Sequence, residues 1–287
     1  MISIILWMWG FEGPKGRYHG LYNYCPAMTN SLAAQIRRNV SIPHEIVVVS
    51  DFPADQFDPS IRYVSLQRHF GELRHMGGCY LRLKAFSAEM HDVLGPRCFW
   101  LDTDSVVVGS LDPLLCRKEP VVLLKLDTVP STPFNGSCAL WSPQETDWIW
   151  RKFDPVESLK LARAEGFKGT DQAILSMVCD PIRTPAFTYA DGILSYSLHV
   201  GRRLPEHARI VTFPGRLKPD NPSVLRRATW LPEHLDAENP PSPTHLKPWT
   251  VDAQKPMRFV MQKHRPTMQD IRREGRAMLR AQAKQGA

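Results

Sequence analysis

Cys98-Phe99-Trp100-Leu101-Asp102-Thr103-Asp104-Ser105-Val106-Val107-Val108-Gly109 places two carboxylates where an apolar strand runs out. Hard oxygen ligands suit Mg²⁺ or Mn²⁺, which are often held by one or two carboxylates while substrate phosphates complete the shell. A metal bridging a diphosphate is therefore one reading of Asp102 and Asp104. The other is that they end a strand and start a turn, because an Asp side chain bonds nearby backbone amides.

Outward from this stretch, the chain alternates apolar runs with helical spacing. Residues 2–9 form an apolar run bounded by Gly10, Gly13 and Pro14, which reads as a buried first strand feeding a Gly-rich loop. Leu32 and Ile36 share a helical face within residues 29–38, a β-branched run at 45–50 ends at Asp51, and another short strand falls near 61–64. Strand, helix, strand implies a parallel sheet. After Gly77 and Gly78, the spacing of Leu83, Phe86 and Met90 predicts a helix over 80–90 that leads into the acidic strand. Strands follow near 120–124 and 138–141, helices over 145–153, 156–165 and 170–178, and short strands near 194–198 and 208–213. No internal repeat or coiled-coil heptad is present.

At 287 residues, 43% hydrophobic and 23% charged, the composition is that of an ordinary globular protein with a sizeable core, and it excludes disorder for most of the chain. The six cysteines show no Cys-x-x-Cys spacing, and Cys98 and Cys138 lie in apolar runs, so zinc and a disulfide framework are not expected. Residues 2–9 are too short to span a membrane and lack the features of a signal peptide, which points to a reducing cytoplasm. The formal charge of +7 is carried by the tail, where nine Lys or Arg and two acids follow from Lys255 onward. Nine prolines between Pro214 and Pro256 exclude a long helix there and suggest an irregular strap. Beyond it, Met268, Ile271, Met278 and Leu279 lie opposite Arg272, Arg273, Arg276, Arg280 and Lys284, the pattern of a basic amphipathic helix. Such helices bind nucleic-acid phosphates or anionic membrane surfaces, or simply form a solvated face.

Five short motifs then occur in order: Tyr80-Leu81-Arg82-Leu83-Lys84, Leu101-Asp102-Thr103-Asp104, Phe134-Asn135-Gly136-Ser137, Gly169-Thr170-Asp171-Gln172 and Phe213-Pro214-Gly215-Arg216-Leu217-Lys218-Pro219. Together they resemble the glycogenin-like, family 8 glycosyltransferases of the GT-A fold, and especially their small bacterial and phage relatives. The resemblance implies an α/β, Rossmann-like, mixed but mostly parallel sheet flanked by helices over residues 1–222, with a Pro-rich segment at 223–264 and the basic helix at 265–287. Asp-x-Asp-x-Val also resembles the nucleophile loop of haloacid-dehalogenase-type phosphatases. That class needs the motif near the N-terminus and a second acidic pair downstream, and neither condition is met.

The family resemblance implies a role for each candidate. Asp104 would bind Mn²⁺ or Mg²⁺, and Asp102 the metal or the donor ribose, with the ion neutralising the departing nucleoside diphosphate. Arg82 would hold the acidic pair or the donor sugar. Asn135 would read sugar hydroxyls, against the alternative of a turn residue before Gly136. Asp171 would be the donor-sugar or catalytic carboxylate, against that of a helix-capping acid, with Gln172 a weaker candidate beside it. Lys218 would meet the diphosphate, assisted by Arg216. Trp9 and Asp51 stand where the nucleotide base is received, although Trp7 and Trp9 alternate and equally suit the core. The sequence departs from the family in one place: Thr212 and Pro214 occupy the two positions where a metal-ligating histidine is expected, with His199 and His207 the nearest substitutes.

The expected function is metal-dependent transfer of a sugar from a nucleotide donor, with uridine diphosphate the expected carrier, to an unidentified acceptor with retention of configuration. The basic tail makes a polyanionic acceptor one candidate, such as modified phage DNA or an envelope glycan. The alternative from another class is a catalytically weak or inactive binding protein for a nucleotide sugar, nucleic acid or membrane surface.

Overall fold

β1 (Ile2–Met8) is buried at every position, because it lies between two parallel neighbours in a sheet covered on both faces. In this computed structural model, residues 1–13, 16–18, 25–125, 131–215 and 217–235 are described. A short hairpin of β2 (Phe11–Gly13) and β3 (Gly16–Tyr18) follows β1. The helix Pro26–Asn39 crosses back to β4 (His44–Ser50), and β5 (Arg62–Ser65) extends the sheet outward. β6 (Cys98–Leu101) then pairs with the opposite side of β1. β7 (Ser105–Val107) leaves the main sheet, which continues through β8 (Val121–Lys125), β9 (Phe134–Trp141) and β10 (Ala186–Phe187).

The seven-stranded order is β10-β8-β9-β6-β1-β4-β5. Only β9 runs antiparallel to its neighbours, so the sheet is mixed and mostly parallel. Strand order reverses between β1 and β6. In open α/β sheets the crevice at the carboxyl ends of such strands is where ligands bind. Trp9 follows one strand and Asp102 the other.

A second, three-stranded sheet joins β7 to β12 (Ile210–Thr212) and β11 (Ile193–Ser195). It carries its own apolar cluster of Val106, Leu194, Tyr196, Phe213, Val224 and Trp230. Gln35 of the first helix accepts from Val107 N at 2.9 Å and ties this sheet to the main one.

Most elements stand where the sequence pattern puts them, with three informative differences. Residues 80–90 form a 3-10 helix at Tyr80–Phe86 that breaks at Ser87 rather than one α-helix. The spacing of Tyr80, Leu83 and Phe86 is three, which a 3-10 turn aligns on one buried face. β9 begins at Phe134, four residues earlier than its apolar run, because Asn135 and Gly136 enter the strand through a register shift opposite Leu123 and Leu124. Residues 196–200 form a π-turn instead of continuing β11. In the Pro-rich region the described part contains only the four-residue helices Pro222–Leu225 and Leu231–His234. Residues 236–264 and the expected basic helix at 265–287 lie outside the described residues, as does Arg216. No helix among the described residues is long and apolar enough to cross a membrane.

Candidate active site

The end of β6 is fixed from both sides. Asp102 N donates to Ser137 O at 2.8 Å, so the register shift in β9 lies directly beside the first carboxylate. On the other side, Phe213 N donates to Asp104 O at 3.0 Å, which joins the loop after β12 to the second. Two motifs distant in sequence thus converge on Asp102-Thr103-Asp104 through main-chain bonds.

Arg82 comes from the 3-10 helix and lies between two acids. Its Nη1 donates to Asp102 Oδ1 at 2.5 Å, and Nη2 stands 2.6 Å from Asp171 Oδ2. The guanidinium rests over the Trp100 ring, 5.3 Å from its centroid. Burial opposes the charge on Arg82, but Asp171 and Asp102 outweigh it and hold the guanidinium pKa well above its ordinary value. Asp102 keeps 27% of its side chain exposed, yet protein surrounds it closely enough for burial to push its carboxyl up to about 7. Arg82 works against that rise, while Asp104 and Asp171 add to it.

Gly136 explains its place in the Phe-Asn-Gly-Ser motif. A Cβ there would stand 2.9 Å from Asp171 Oδ2 and 3.0 Å from Arg82 Nη2, so only glycine lets the ion pair pass this close to the backbone. Trp100 Nε1 donates to Gly136 O at 3.2 Å, which fixes the ring beneath the guanidinium. A similar approach occurs where Gly78, at φ +56°, faces Thr170. A Cβ on Gly78 would lie 2.4 Å from Thr170 Cγ2. Thr170 Oγ1 accepts from Cys79 N and donates to Asp171 Oδ1, both at 3.2 Å. Burial pushes the neighbouring Cys79 thiol up to about 12.

Lys218 is buried, 7% exposed. Its ammonium pairs with the Asp104 carboxylate and donates to Phe213 O at 3.0 Å. Two ion-paired groups, Asp171–Arg82–Asp102 and Lys218–Asp104, therefore stand side by side at the carboxyl end of β6.

The remaining candidates are used differently. Asn135 Oδ1 accepts from Ser137 N at 2.8 Å, which makes it the turn residue of the register shift. Gln172 Nε2 donates to Lys168 O at 3.2 Å, on the first turn of the helix Asp171–Val178. Asp51 accepts from Gly10 N at 3.1 Å and pairs with Arg74, so it anchors the chain leaving β1. Trp7 belongs to the core, and Trp9 packs edge-on against it with centroids 6.0 Å apart. His199 accepts from Ser195 N at 3.0 Å, and both it and His207 pack on Tyr189. Neither histidine takes the place of the expected metal ligand among the described residues.

Sequence reasoning missed Arg74, Thr170 and Trp100. Trp100 lies inside the acidic strand, whereas Gly77-Gly78 mark only the start of the following helical spacing and give no sign of Thr170. A surface groove of about 750 Å³, lined by residues including Lys152, Asp154, Leu161 and Met177, contains none of the five ion-paired residues at the end of β6.

The divalent ion implied by the resemblance can be tested against this donor set. Each carboxylate of the pair already faces a side-chain cation. No third His, Cys, Asp or Glu gathers with them into a ligand cluster among the described residues. Thr212 directs its hydroxyl to Leu194 O at 3.3 Å, and Pro214 has no ligating side chain. The arrangement fits a resident divalent ion poorly, since one oxygen of each carboxylate already holds a cation and neither imidazole position supplies a nitrogen ligand.

No protein-family profile and no curated protein sequence matches the chain. Solved structures do. The galactosyltransferase LgtC, solved with donor and acceptor sugar analogues, is 16% identical with a TM-score of 0.53, over 82% of this chain and 96% of LgtC. The bifunctional glycosyltransferase WbbM is 12% identical at 0.53, over 85% of this chain and half of WbbM. Mouse xyloside xylosyltransferase 1 is 12% identical at 0.50, over 75% of this chain and 98% of the enzyme. The fold is that of the GT-A glycosyltransferases.

Proposed function

We propose that the protein is a glycosyltransferase that moves a sugar from a nucleotide donor, with uridine diphosphate as the leaving group, to an acceptor hydroxyl with retention of configuration. The observation that carries this reading is the ion-pair chain Asp171-Arg82-Asp102 with Lys218-Asp104 at the strand-order reversal of a glycosyltransferase fold. A diphosphate brings negative charge, which guanidinium and ammonium donors suit, while carboxylates orient those donors and accept from sugar hydroxyls.

In the transfer, the bond from the anomeric carbon to the diphosphate oxygen breaks and its electron pair leaves with the diphosphate. The acceptor oxygen forms the new bond, and its proton passes to the departing diphosphate. Asp171, held by Arg82, is the candidate carboxylate on the donor sugar. Asn135 and Gln172 lie on the neighbouring elements, and LgtC has also been studied as a glutamine-to-glutamate active-site variant. Trp9 and Asp51, beside the same crevice, are the candidates for the base, and Arg216 for the diphosphate. The acceptor is unidentified, and the basic residues after Lys255 favour a polyanionic one.

The poor fit to a divalent ion also supports a second reading, a protein that binds a nucleotide sugar without turnover. Thermal melts with a panel of uridine, guanosine and adenosine diphosphate sugars test the binding that both readings share. Saturation at about a hundred times Kd with one nucleotide class should stabilise the fold by about 2.7 kcal/mol. No shift with any donor would refute both.

A further inference from the structure

We propose that Lys218 and Arg82 act as built-in cations in place of a divalent metal, so that Asp102 and Asp104 serve to position them against the leaving diphosphate. This inference rests on reading the site as a nucleotide-sugar transferase. Four observations carry it.

Lys218 is placed as a structural part of the acidic pair, not as a surface lysine near it. Its ammonium touches the Asp104 carboxylate and donates to Phe213 O, while Phe213 N donates to Asp104 O. Side chain and main chain thus lock the same two segments together. Taking an ammonium and a carboxylate out of water is costly, and the pair persists in such a place only when geometry and further hydrogen bonds compensate. Arg82 holds Asp102 in the same way from the opposite side, with Asp171 and the Trp100 ring fixing its plane.

The remaining two observations concern what a metal would need. The two positions that could supply an imidazole hold Thr212 and Pro214, and Thr212 is itself engaged with Leu194 O. No other imidazole, thiolate or carboxylate joins the pair in a ligand cluster among the described residues. An ammonium of fixed position supplies the same kind of help to a departing oxygen that an oxyanion-hole donor supplies. It lowers the energy of charge that develops only as the bond breaks, without reorganisation. This electrostatic role needs no co-reactant.

The test uses the full-length protein and two readouts. The first is the free-ion Mn²⁺ electron paramagnetic resonance signal during titration, with and without uridine diphosphate and against a nucleotide-only control. The parent should leave the signal undiminished, whereas Lys218→Met, which uncovers Asp104, should take up Mn²⁺. Stoichiometric uptake by the parent that Asp104→Asn abolishes would overturn the proposal.

The second readout is nucleoside diphosphate release. Rates with chelator and with Mn²⁺ should agree within about twofold, and Lys218→Met should lose on the order of 10²–10³-fold while Lys218→Arg retains most of the rate. Far-ultraviolet circular dichroism of each variant separates loss of charge from loss of fold. Release that requires metal in the parent would overturn the proposal and leave the transferase reading standing. Absence of release with every donor would instead refute the transferase reading, and the leaving-group role with it.

Discussion

Replacing Arg82 with Met keeps a long, flexible side chain on the Trp100 ring but removes the charge between Asp102 and Asp171. The guanidinium is 5% exposed and Asp171 4%, so little water reaches the carboxylate that loses its partner. Breaking one side of a buried pair typically costs about 3–5 kcal/mol, because the remaining charge is left uncompensated. At roughly 2–4 °C per kcal/mol for a domain of this size, the midpoint of thermal unfolding should fall by about 6–20 °C. A double-mutant cycle isolates the pair. Arg82→Met with Asp171→Asn should recover part of the loss, with a coupling of about 0.5–3 kcal/mol. Melts followed by circular dichroism provide the numbers. A single variant that melts within 2 °C or so of the parent, or a cycle with no coupling, would refute the view that Arg82 neutralises these acids in the folded state.

Three further outcomes follow from other contacts. Gly136→Ala would press a methyl group into the Arg82–Asp171 pair and should cost about 1–3 kcal/mol in chemical unfolding, with an impaired donor site; unchanged stability would contradict the close approach. Glu45 is held below its usual carboxylate range chiefly by hydrogen bonds from Arg62, with Ser3 assisting. A depressed native pKa contributes stability above the unfolded value of about 4.3 that is lost as pH falls through the native one, so Glu45→Gln should flatten the acid limb of a stability–pH profile. Cys79, with its thiol pushed up to about 12, should react with iodoacetamide far more slowly in the folded protein than exposed Cys116; peptide mass spectrometry after timed alkylation reads the difference.

Much of this architecture is legible in the residues. The acidic strand announces itself because β6 is buried at all four positions, so its sequence is uniformly apolar until Asp102. β1, buried at every position, is equally plain, and β4 shows itself through its buried run from Ile46 to Val49. What periodicity does not reveal is convergence. Nothing in the local pattern at residues 213–218 says that Lys218 reaches Asp104, since that contact depends on β12 pairing antiparallel with β7. Asn135 and Gly136 look like a turn, and they are one, but the turn lies within a strand and its glycine serves an ion pair more than thirty residues away on either side. Asp51 was legible as a strand-end acid and not as the partner of Arg74, because a surface arginine and a half-buried, paired one look alike in sequence.

Departure from a family pattern was the most useful signal. The absent histidine was visible at once in Thr212 and Pro214, and only the placement of Lys218 gave it a physical meaning.

The most direct test of the transferase assignment is nucleoside diphosphate release from a panel of nucleotide sugars, comparing the parent with Asp104→Asn and Arg82→Met. One donor class should support release by the parent, with both variants reduced by at least about a hundredfold. No release from any donor, or release that both variants retain, would contradict the assignment.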